Sequence, residues 1–421
     1  MTDLYREVRS LPGLWGAWRA VRENGRRSGS RETAKAISAF DESAECHLNR
    51  IARQLREDRF RFSKAIGLPI KRPGKPPRPI VITTIQDRIV QRRILDILQE
   101  RPEIIEFLLT PTSFGGIKGR GVREAMKVAI HEIQSGKGYY LRSDIENFFS
   151  NIPKAIPLTV LDERLPASGG FRKLLHEAVN VELANLAELG PLVSLFPLSG
   201  IGVAQGSCLS LLMGNILLYE FDRRMNDRGI VCLRYVDDFL LLGPSHAHVV
   251  KAFESASRLL TDLGLTAYDP RTAPDKAETG WIQSGFTFLG CHVVPGLIRP
   301  SSRAQRRLLE AVDKILGESM RRLSGARSTD FDRKHSVATT LQHLGNVLEG
   351  WREQYSFCND GDAFLNLNSK VVARVRKYME AVRRAHASLD ELGRFRALGV
   401  SPLVDRRHRP IEWAIKLDET G

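Results

Sequence analysis

Two adjacent carboxylates interrupt a mostly apolar stretch in the second half of the chain. Asp237 and Asp238 lie between the runs 233–236 and 239–242, which are apolar apart from Arg234. This pattern predicts a β-hairpin with both acids at its tip. Like charges so close together cost free energy unless a cation lies beside them, and a divalent ion bound through oxygen atoms meets that need. A polar Asp-Asp turn without a metal is the alternative interpretation of the dipeptide alone.

A third carboxylate favours the metal interpretation. Asp144 ends the strand-like segment 139–144, and the aromatic pair Phe148-Phe149 follows it. If two strands bring Asp144 beside Asp237, the carboxylates would hold two Mg²⁺ ions about 4 Å apart, an arrangement that catalyses in-line displacement at phosphorus. One ion would lower the pKa of an attacking 3′-hydroxyl, and the other would hold a triphosphate and its departing pyrophosphate. Aspartate suits this role because Mg²⁺ is a hard ion that prefers oxygen ligands.

The charge balance indicates a polyanionic partner. The 421-residue chain has 63 Lys and Arg against 49 Asp and Glu, which gives a formal net charge of +14. The excess is concentrated in 51–140 and, to a smaller extent, in 300–421. Nucleic acid is therefore the first candidate partner, held by basic walls on either side of a less basic centre.

Several hydrophobic patterns predict the elements that would position the acids. Segment 65–84 predicts two short strands joined by a Pro/Gly turn, and 87–98 predicts a helix. Residues 245–264 predict another helix with Ser245 as its N-cap, and the chain after Pro300 is mostly helical in pattern. Residues 1–60 are helical in pattern as well, with a loop over 23–33. The alternation of strands and helices predicts an α/β or α+β centre.

The cysteines and the hydropathy indicate the compartment. The five cysteines are Cys46, Cys208, Cys232, Cys291 and Cys358. They are odd in number and form no Cys-x-x-Cys pair, which argues against a disulfide framework. No run of 18 apolar residues occurs, and residues 1–20 lack the features of a signal peptide. We therefore expect a cytoplasmic protein that does not associate with membranes.

Three segments resemble successive motifs of reverse transcriptases, in that family's order. They are the strand-like segment 139–149 with Asp144, the segment 202–210, and the Tyr-x-Asp-Asp box at 235–238, which is highly specific in such company. The resemblance covers about 48–290 and continues outward through four further segments. The fingers are resembled by Lys71 with 78–80 and then by 87–91. The segment before the palm is resembled by 113–116, and the primer grip by 288–290.

The chain resembles group II intron-type reverse transcriptases in one segment and differs from them in another, and the difference indicates its subtype. The segment 348–351 followed by Tyr355 resembles the thumb of group II intron-type enzymes. Those enzymes often have proline at the positions of Ala204, Cys208 and Leu211, and this chain has none there. The short, stand-alone layout resembles instead the bacterial "unknown group" of reverse transcriptases, several of which act in antiphage defence.

The resemblance implies an α+β right-hand polymerase with fingers, an antiparallel-sheet palm and a helical thumb. We expect an N-terminal helical extension over 1–48, fingers over 49–134, a palm over 135–299, a thumb over 300–395 and a C-terminal tail over 396–421.

The resemblance also implies the site residues. Asp144, Asp237 and Asp238 would be catalytic, and the backbone carbonyl of Ile145 would join them in binding the metal ions. The nucleotide-binding residues would be Lys71, Arg78, Phe149, Gln205, Gly206 and Lys276. Lys71 and Arg78 would present two cations to the triphosphate, whereas the alternative is a solvated basic hairpin.

Three of these residues carry specific expectations. Phe149 would exclude ribonucleotides at the sugar 2′ position, or else belong to the core; we favour the first because neighbouring strand residues point to opposite faces, so that Phe148 and Phe149 would not share one core. Gly206 beside Gln205 would let the backbone approach the nucleotide closely. Lys276 would protonate the pyrophosphate, or else belong to an ordinary charged loop.

These inferences predict RNA-templated DNA synthesis from dNTPs with two Mg²⁺ ions. The partners would be an RNA template and a DNA product, with a dedicated non-coding RNA as a further candidate partner and antiphage defence as a candidate role. Two alternatives stay open: a polymerase of the same class that uses another template or none, and a nucleic-acid-binding scaffold whose site is unused. The presence of all three aspartates favours an enzyme. The sequence leaves the oligomeric state open.

Overall fold

The chain folds into two compact units, Met1–Ser284 and Gly285–Gly421. A computed structural model describes residues 3–26, 30–72, 74–166, 168–197, 200–324 and 333–403. Within these residues, no helix is long and apolar enough to cross a membrane.

The first unit combines many helices with a small number of strands. Its helices are α1 Leu4–Val8, α2 Leu11–Arg26, α3 Arg31–Asp41, α4 Ala44–Arg56, α5 Ile85–Gln99, α6 Pro102–Leu108, α7 Val122–Gln134, α8 Phe148–Asn151, α9 Ala155–Arg164, α10 Gly169–Val179, α11 Leu186–Leu189, α12 Leu209–Asp227 and α13 His246–Asp262. Its strands are β1 Ile66–Arg72, β2 Lys75–Ile82, β3 Ser113–Phe114, β4 Tyr139–Asp144, β5 Val231–Tyr235, β6 Asp238–Gly243 and β7 Glu278–Trp281. Short 3₁₀ turns occur at Gly190–Leu195 and Ile282–Ser284.

A five-stranded sheet forms the centre of this unit, in the order β3-β5-β6-β4-β7. All neighbouring strands are antiparallel except the two-residue β3, which runs parallel to β5. Central strand β6 is buried on both faces, with Phe239 through Leu242 at most 1% exposed. Phe239 and Leu241 belong to the main core cluster together with residues of α12 and α13. The predicted β5–β6 hairpin is present, and both of its strands are fixed by this core.

The predicted fingers hairpin is a separate two-stranded sheet. β1 and β2 pair antiparallel with Ile70 opposite Arg78, and the register shifts between Ile70 and Arg72. Helix α5 follows, with the Thr84 hydroxyl accepting a hydrogen bond from the Asp87 N–H as its N-cap. The helix predicted over 87–98 is therefore confirmed and begins two residues earlier.

Two other local predictions can be compared with the structure. Ser245 caps α13 as predicted, since its side chain accepts from the His248 N–H. The loop expected over 23–33 overlaps two helices, because α2 continues to Arg26 and α3 begins at Arg31, and residues 27–29 lie outside the described residues. The Ser30 side chain accepts from the Thr33 N–H, and this N-cap lets α3 begin before the expected end of the loop.

The second unit opens with strands and continues with helices. Its strands are β8 Phe286–Phe288, β9 Cys291–Val294 and β10 Leu297–Pro300, and its helices are α14 Ser302–Ser324, α15 Val337–Gln354, α16 Gly361–Ala387 and α17 Glu391–Leu398, with a 3₁₀ turn at Arg333–His335. β9 lies between β8 and β10. Apolar side chains of α14, α15 and α16 form its helical core, including Val312, Leu344 and Val371.

The mixture of helices with largely antiparallel sheets confirms the predicted α+β class. The compact second unit starts at Gly285 and includes three strands of the segment 135–299, which the sequence assigned to the palm. The names fingers, palm and thumb remain predictions for their segments. Of the predicted tail 396–421, residues 404–421 lie outside the described residues.

Candidate active site

Strand register brings the three predicted catalytic carboxylates together. Asp144, the last residue of β4, is directly opposite Asp238, the first residue of β6. Asp237 lies in the turn between β5 and β6, where Val236 has a left-handed φ of 62°. The Ile145 N–H donates a 3.1 Å hydrogen bond to the Asp237 carbonyl. The predicted metal-binding set Asp144, Ile145, Asp237 and Asp238 therefore occupies one place at the end of the sheet.

Burial and mutual repulsion disfavour the charged forms of these acids. Burial, followed by the charges of Asp144 and Asp238, raises the pKa of Asp237 to about 7. Burial and the charge of Asp144 raise the pKa of Asp238 to about 6. Burial also raises the pKa of Asp144, and the nearby Lys276 opposes that shift. The three carboxylates thus form a site that a positive charge would stabilise.

The three carboxylates can supply part of the oxygen ligands of Mg²⁺, and water and substrate phosphates would supply the others. Asp144 Oδ1 is buried and has no hydrogen-bond partner, so one ligand oxygen is directed into the site without a protein donor. Across the described ranges, however, no group of three or more His, Cys, Asp or Glu side chains is arranged to hold a metal by itself. Mg²⁺ commonly takes one or two carboxylates and fills its remaining positions with water and substrate phosphates. The aspartates fit such a partial ligand set.

A buried arginine supports the turn that carries Asp237. Arg234 of β5 is 0% exposed and donates hydrogen bonds of 2.8 and 2.6 Å to the two carboxylate oxygens of Asp222 on α12. The same guanidinium donates to Asn215 Oδ1 at 3.1 Å, to Ser113 Oγ at 2.6 Å and to the Val236 carbonyl at 2.9 Å. The last bond fixes the residue with positive φ immediately before Asp237. Sequence reasoning did not identify this residue, although an arginine in an otherwise apolar strand was the available signal.

Lys276 lies at the aspartates, as predicted. Its Nζ is 3.6 Å from Asp144 Oδ2 and 4.8 Å from the centroid of the Tyr268 ring. The Tyr268 N–H also donates to the Asp144 carbonyl at 3.1 Å. The side chain of Lys276 is 33% exposed, so the ammonium is accessible to a ligand while it faces the carboxylate.

The predicted nucleotide-binding residues of the fingers hairpin and of the Gln-Gly segment are in contact. Arg78 Nε donates a 3.1 Å hydrogen bond to Gln205 Oε1, and the Val81 N–H donates to the Gln205 carbonyl at 2.8 Å. Gly206 has a φ of 121°, and a Cβ there would lie 2.8 Å from the Val81 carbonyl oxygen. Gly206 therefore allows a close approach of the backbone to strand β2, and the approach to a nucleotide stays a prediction.

The two predicted phosphate-binding cations differ in their surroundings. Burial and the charges of Asp144 and Asp238 raise the pKa of Asp237, and the positive charge of Arg78 is near enough to oppose that shift. Lys71 lies at the register shift of the hairpin and is exposed. Arg78 is thus part of the assembled site, and Lys71 lies on the same hairpin.

Phe149 is positioned by a helical turn. The premise that Phe148 and Phe149 lie in a strand is wrong, because Asn147 has a φ of 45° and the chain turns into α8. Phe148 is 2% exposed and packs against Gly214, where a Cβ would lie 2.8 Å from its ring. Phe149 is partly buried, and its carbonyl accepts a 2.7 Å hydrogen bond from the Val203 N–H. Phe149 packs against the same core cluster as Phe148, with the two ring centroids 5.3 Å apart, so the expectation that they would not share one core is wrong, although Phe149 is the more exposed of the two.

The fold and the site together define a nucleotidyltransferase-type polymerase. Residues 70–293 match the family model described as "Reverse transcriptase (RNA-dependent DNA polymerase)". The match covers more than half of the chain, which therefore belongs to the reverse transcriptase family. This membership also confirms the predicted right-hand polymerase fold.

Individual proteins with detectable similarity are distant. Protein YkfC of Escherichia coli is 24% identical over 263 residues, which cover 54% of this chain and 64% of that protein. The "Uncharacterized 91 kDa protein in cob intron" of Schizosaccharomyces pombe is 26% identical over 175 residues, 42% of this chain and 20% of that protein. The chain thus spans less than two thirds of either relative. A solved structure of telomerase from Candida albicans with a fragment of telomeric RNA aligns over 80% of this chain and 66% of its own, at 11% identity and a TM-score of 0.41.

Proposed function

We propose that this protein synthesises DNA on an RNA template by nucleotidyl transfer with two divalent metal ions. The observation that carries the proposal is the register of β4 and β6, which sets Asp144 opposite Asp238 with Asp237 in the adjoining turn. Membership of the reverse transcriptase family supports the choice of DNA synthesis. The excess of basic residues supports nucleic acid as template and product.

Each group of residues then has a distinct task. Asp144, Asp237, Asp238 and the Ile145 carbonyl would hold two Mg²⁺ ions, which when bound supply a lowered pKa for the attacking 3′-hydroxyl and charge neutralisation at the triphosphate. The protein's own carboxylates set where those charges lie, and the Arg234 network keeps the Asp237 turn in place. Positioned charges of this kind account for most of the catalysis in phosphoryl and nucleotidyl transfer.

The remaining residues bind the nucleotide. Arg78 is held by Gln205, and its charge acts on Asp237, so it would contact the triphosphate, with Lys71 reaching the same phosphates from the hairpin edge. Lys276, beside Asp144, donates a proton to the departing pyrophosphate. Phe149 lies against the sugar and excludes the 2′-hydroxyl. Gly206 leaves room for the backbone of β2.

A primer-extension assay tests the proposal. Purified protein is given a primed RNA template, a matched DNA template, and either dNTPs or rNTPs with Mg²⁺. We expect dNTP incorporation on RNA, lost in Asp144→Asn and kept in Asp262→Asn, a control at an exposed acid in the last turn of α13. Extension of only the DNA template, or without a template, would support the other-template polymerase instead.

Binding measurements separate the enzyme from the scaffold. A scaffold would bind RNA with no incorporation in any condition, and Asp144→Asn would bind as the wild type does.

Sequencing nucleic acid that copurifies with the protein identifies the template and shows whether one non-coding RNA dominates. The proposed role in antiphage defence rests on the sequence resemblance alone, and phage-infection assays of cells expressing the wild type or Asp144→Asn test it.

A further inference from the structure

Two cysteines that are far apart in the sequence meet in the second unit. The Cys291 thiol on β9 donates a hydrogen bond to the sulfur of Cys358, which follows α15. Cys291 is 0% exposed, whereas Cys358 is only partly buried. Cys358 is therefore the more accessible residue of the pair, and Cys291 is shielded from solvent.

Backbone contacts hold the segment around Cys358 against the β9–β10 hairpin. The Asn359 and Asp360 N–H groups both donate to the Ile298 carbonyl, at 3.0 and 3.2 Å. In return the Ile298 N–H donates to Asn359 Oδ1 at 2.7 Å. Cys291 is paired with Pro300 on the neighbouring strand. These bonds fix the segment that carries Cys358 against the β9–β10 hairpin that carries Cys291.

A second contact lies on the other side of the pair. A Cβ on Gly290 would lie 2.8 Å from the Tyr355 hydroxyl, so this glycine leaves space for the tyrosine that ends α15. Tyr355 is 5% exposed, and its carbonyl accepts a hydrogen bond from the Cys358 N–H at 3.0 Å. Gly290 directly precedes Cys291, and Tyr355 lies three residues before Cys358, so this contact also holds the two cysteine-bearing segments together.

We propose that Cys291 and Cys358 are a redox-active dithiol that forms a reversible disulfide with a hydroperoxide as oxidant. The Cys358 thiolate attacks one peroxide oxygen, the O–O bond breaks, and Cys358 becomes a sulfenic acid as the other oxygen leaves as water or an alcohol. Cys291 sulfur then attacks Cys358 sulfur, the S–O bond breaks, and its oxygen leaves as water with the proton of Cys291. The two thiols lose two electrons and two protons, and the peroxide is reduced.

The environments of the two sulfurs suit these separate tasks. The hydrogen bond from Cys291 holds the pKa of the Cys358 thiol below its usual range, which favours the nucleophilic thiolate at the accessible position. The same hydrogen bond, together with burial, raises the pKa of Cys291 and keeps its proton until the second step. An S–S bond is about 2 Å long, and its formation would join two segments that backbone hydrogen bonds already hold against each other.

The disulfide has a consequence for the polymerase, which rests on the function proposed above. Residues 288–290, directly before Cys291, resemble a primer grip. A covalent link from Cys291 to the segment between α15 and α16 restrains that hairpin. Oxidised protein therefore extends a primer more slowly than reduced protein, and dithiothreitol restores the rate.

Peptide mapping of the full-length protein tests the site. Reduced protein is treated with a small excess of hydrogen peroxide, alkylated and digested. We expect a peptide pair joined through Cys291 and Cys358 that dithiothreitol separates. The pair is absent in Cys358→Ser and in Cys291→Ala, and it persists in Cys46→Ser, a control at an exposed thiol. Oxidation at Cys46, or overoxidation of Cys358, without the joined pair would overturn the proposal.

Primer extension tests the consequence. Slower extension by the oxidised wild type, with no such change in Cys358→Ser, supports the regulatory effect. An equal rate in protein whose disulfide has formed overturns that effect. If neither form extends a primer, the proposed polymerase function is contradicted, while the mapping result still decides whether the dithiol site exists.

Discussion

Arg234 and Asp222 form an ion pair in which neither side chain is exposed to solvent. The pair joins β5 to α12, and its arginine also holds the Val236 carbonyl beside Asp237. Taking two charges out of water is expensive, and a buried pair is by itself weak evidence for stability. We infer that this pair is retained because it fixes the positive-φ turn between β5 and β6, which carries Asp237 and leads into Asp238.

Removing one partner of this pair should be strongly destabilising. Arg234→Met leaves the buried Asp222 charge without its partner, and we expect a loss of about 3–5 kcal/mol in the free energy of unfolding. Primer extension should fall as well, because the Asp237 turn loses its support. Urea unfolding measures the first effect. The control Arg223→Gln removes exposed ion pairs on α12, the helix that carries Asp222. It should lower the free energy of unfolding by less than about 1 kcal/mol. Equal costs for the two variants would contradict this role.

Local patterns predicted the elements whose formation depends on their own residues. The β5–β6 hairpin, the β1–β2 hairpin and the Ser245 cap follow from periodicity, turn residues and capping chemistry. The meeting of Asp144 with Asp237 was predicted by resemblance, because strand order in a sheet is not a local property. The contact between Asp222 and Arg234 could not be predicted from the sequence for the same reason, because it joins a helix to a strand.

Other features depended on backbone conformation or on long-range contacts. Asn147 takes a left-handed φ that turns the following phenylalanines into a helix, and the sequence pattern resembled a continuing strand. The thiol pair Cys291 and Cys358 appeared as two isolated cysteines, because only the linker after α15 brings them together. The second unit starts at Gly285 because β8, β9 and β10 form a sheet of their own, and such pairing cannot be inferred from local pattern.

Metal removal should make stability depend on pH through the carboxylates. In the folded protein the pKa of Asp237 is about 7 and that of Asp238 about 6, above the unfolded value of about 3.9. The folded state therefore binds more protons between these values, and the resulting stabilisation is present at low pH and lost as the pH rises through 6 to 7. With a chelator present, the melting temperature of the wild type relative to Asp237→Asn should fall from pH 5 to pH 8.

Added Mg²⁺ should reverse this trend at pH 8, because it binds the ionised carboxylates of the folded state. Thermal unfolding of both proteins, with chelator and with Mg²⁺, measures the difference. Titrating groups outside the carboxylate cluster contribute equally to the two proteins and cancel in the comparison, whereas Asp144 and Asp238 interact with Asp237 and contribute to the difference. A wild-type melting temperature that rises relative to Asp237→Asn between pH 5 and pH 8 without metal would show that these acids are not strained by burial.

The bond between Arg78 and Gln205 should orient the arginine for the triphosphate. Gln205→Leu removes the acceptor and leaves the charge, so the KM for dNTPs should rise with a smaller change in kcat. Arg78→Lys keeps the charge but loses the planar donor, and Arg78→Ala loses both, so the KM should increase in that order. Steady-state extension kinetics provide the values. Arg72→Ala on the same exposed hairpin is the matched control, and an equal effect there would indicate a general charge contribution.

Phe149 and Phe148 provide a paired test of sugar selection. Phe149 is only partly buried beside the Gln-Gly segment, so Phe149→Val should open space for a 2′-hydroxyl while most of the core stays intact. We expect the ratio of kcat/KM for rNTP to that for dNTP to rise by about tenfold or more, which corresponds to about 1.4 kcal/mol of discrimination. Phe148→Val instead shortens a side chain that is 2% exposed, and it should cost about 1–3 kcal/mol of stability without altering that ratio. Both ratios come from single-nucleotide extension on the same primed template. If the ratio moves in Phe148→Val and stays constant in Phe149→Val, the sugar gate is not Phe149.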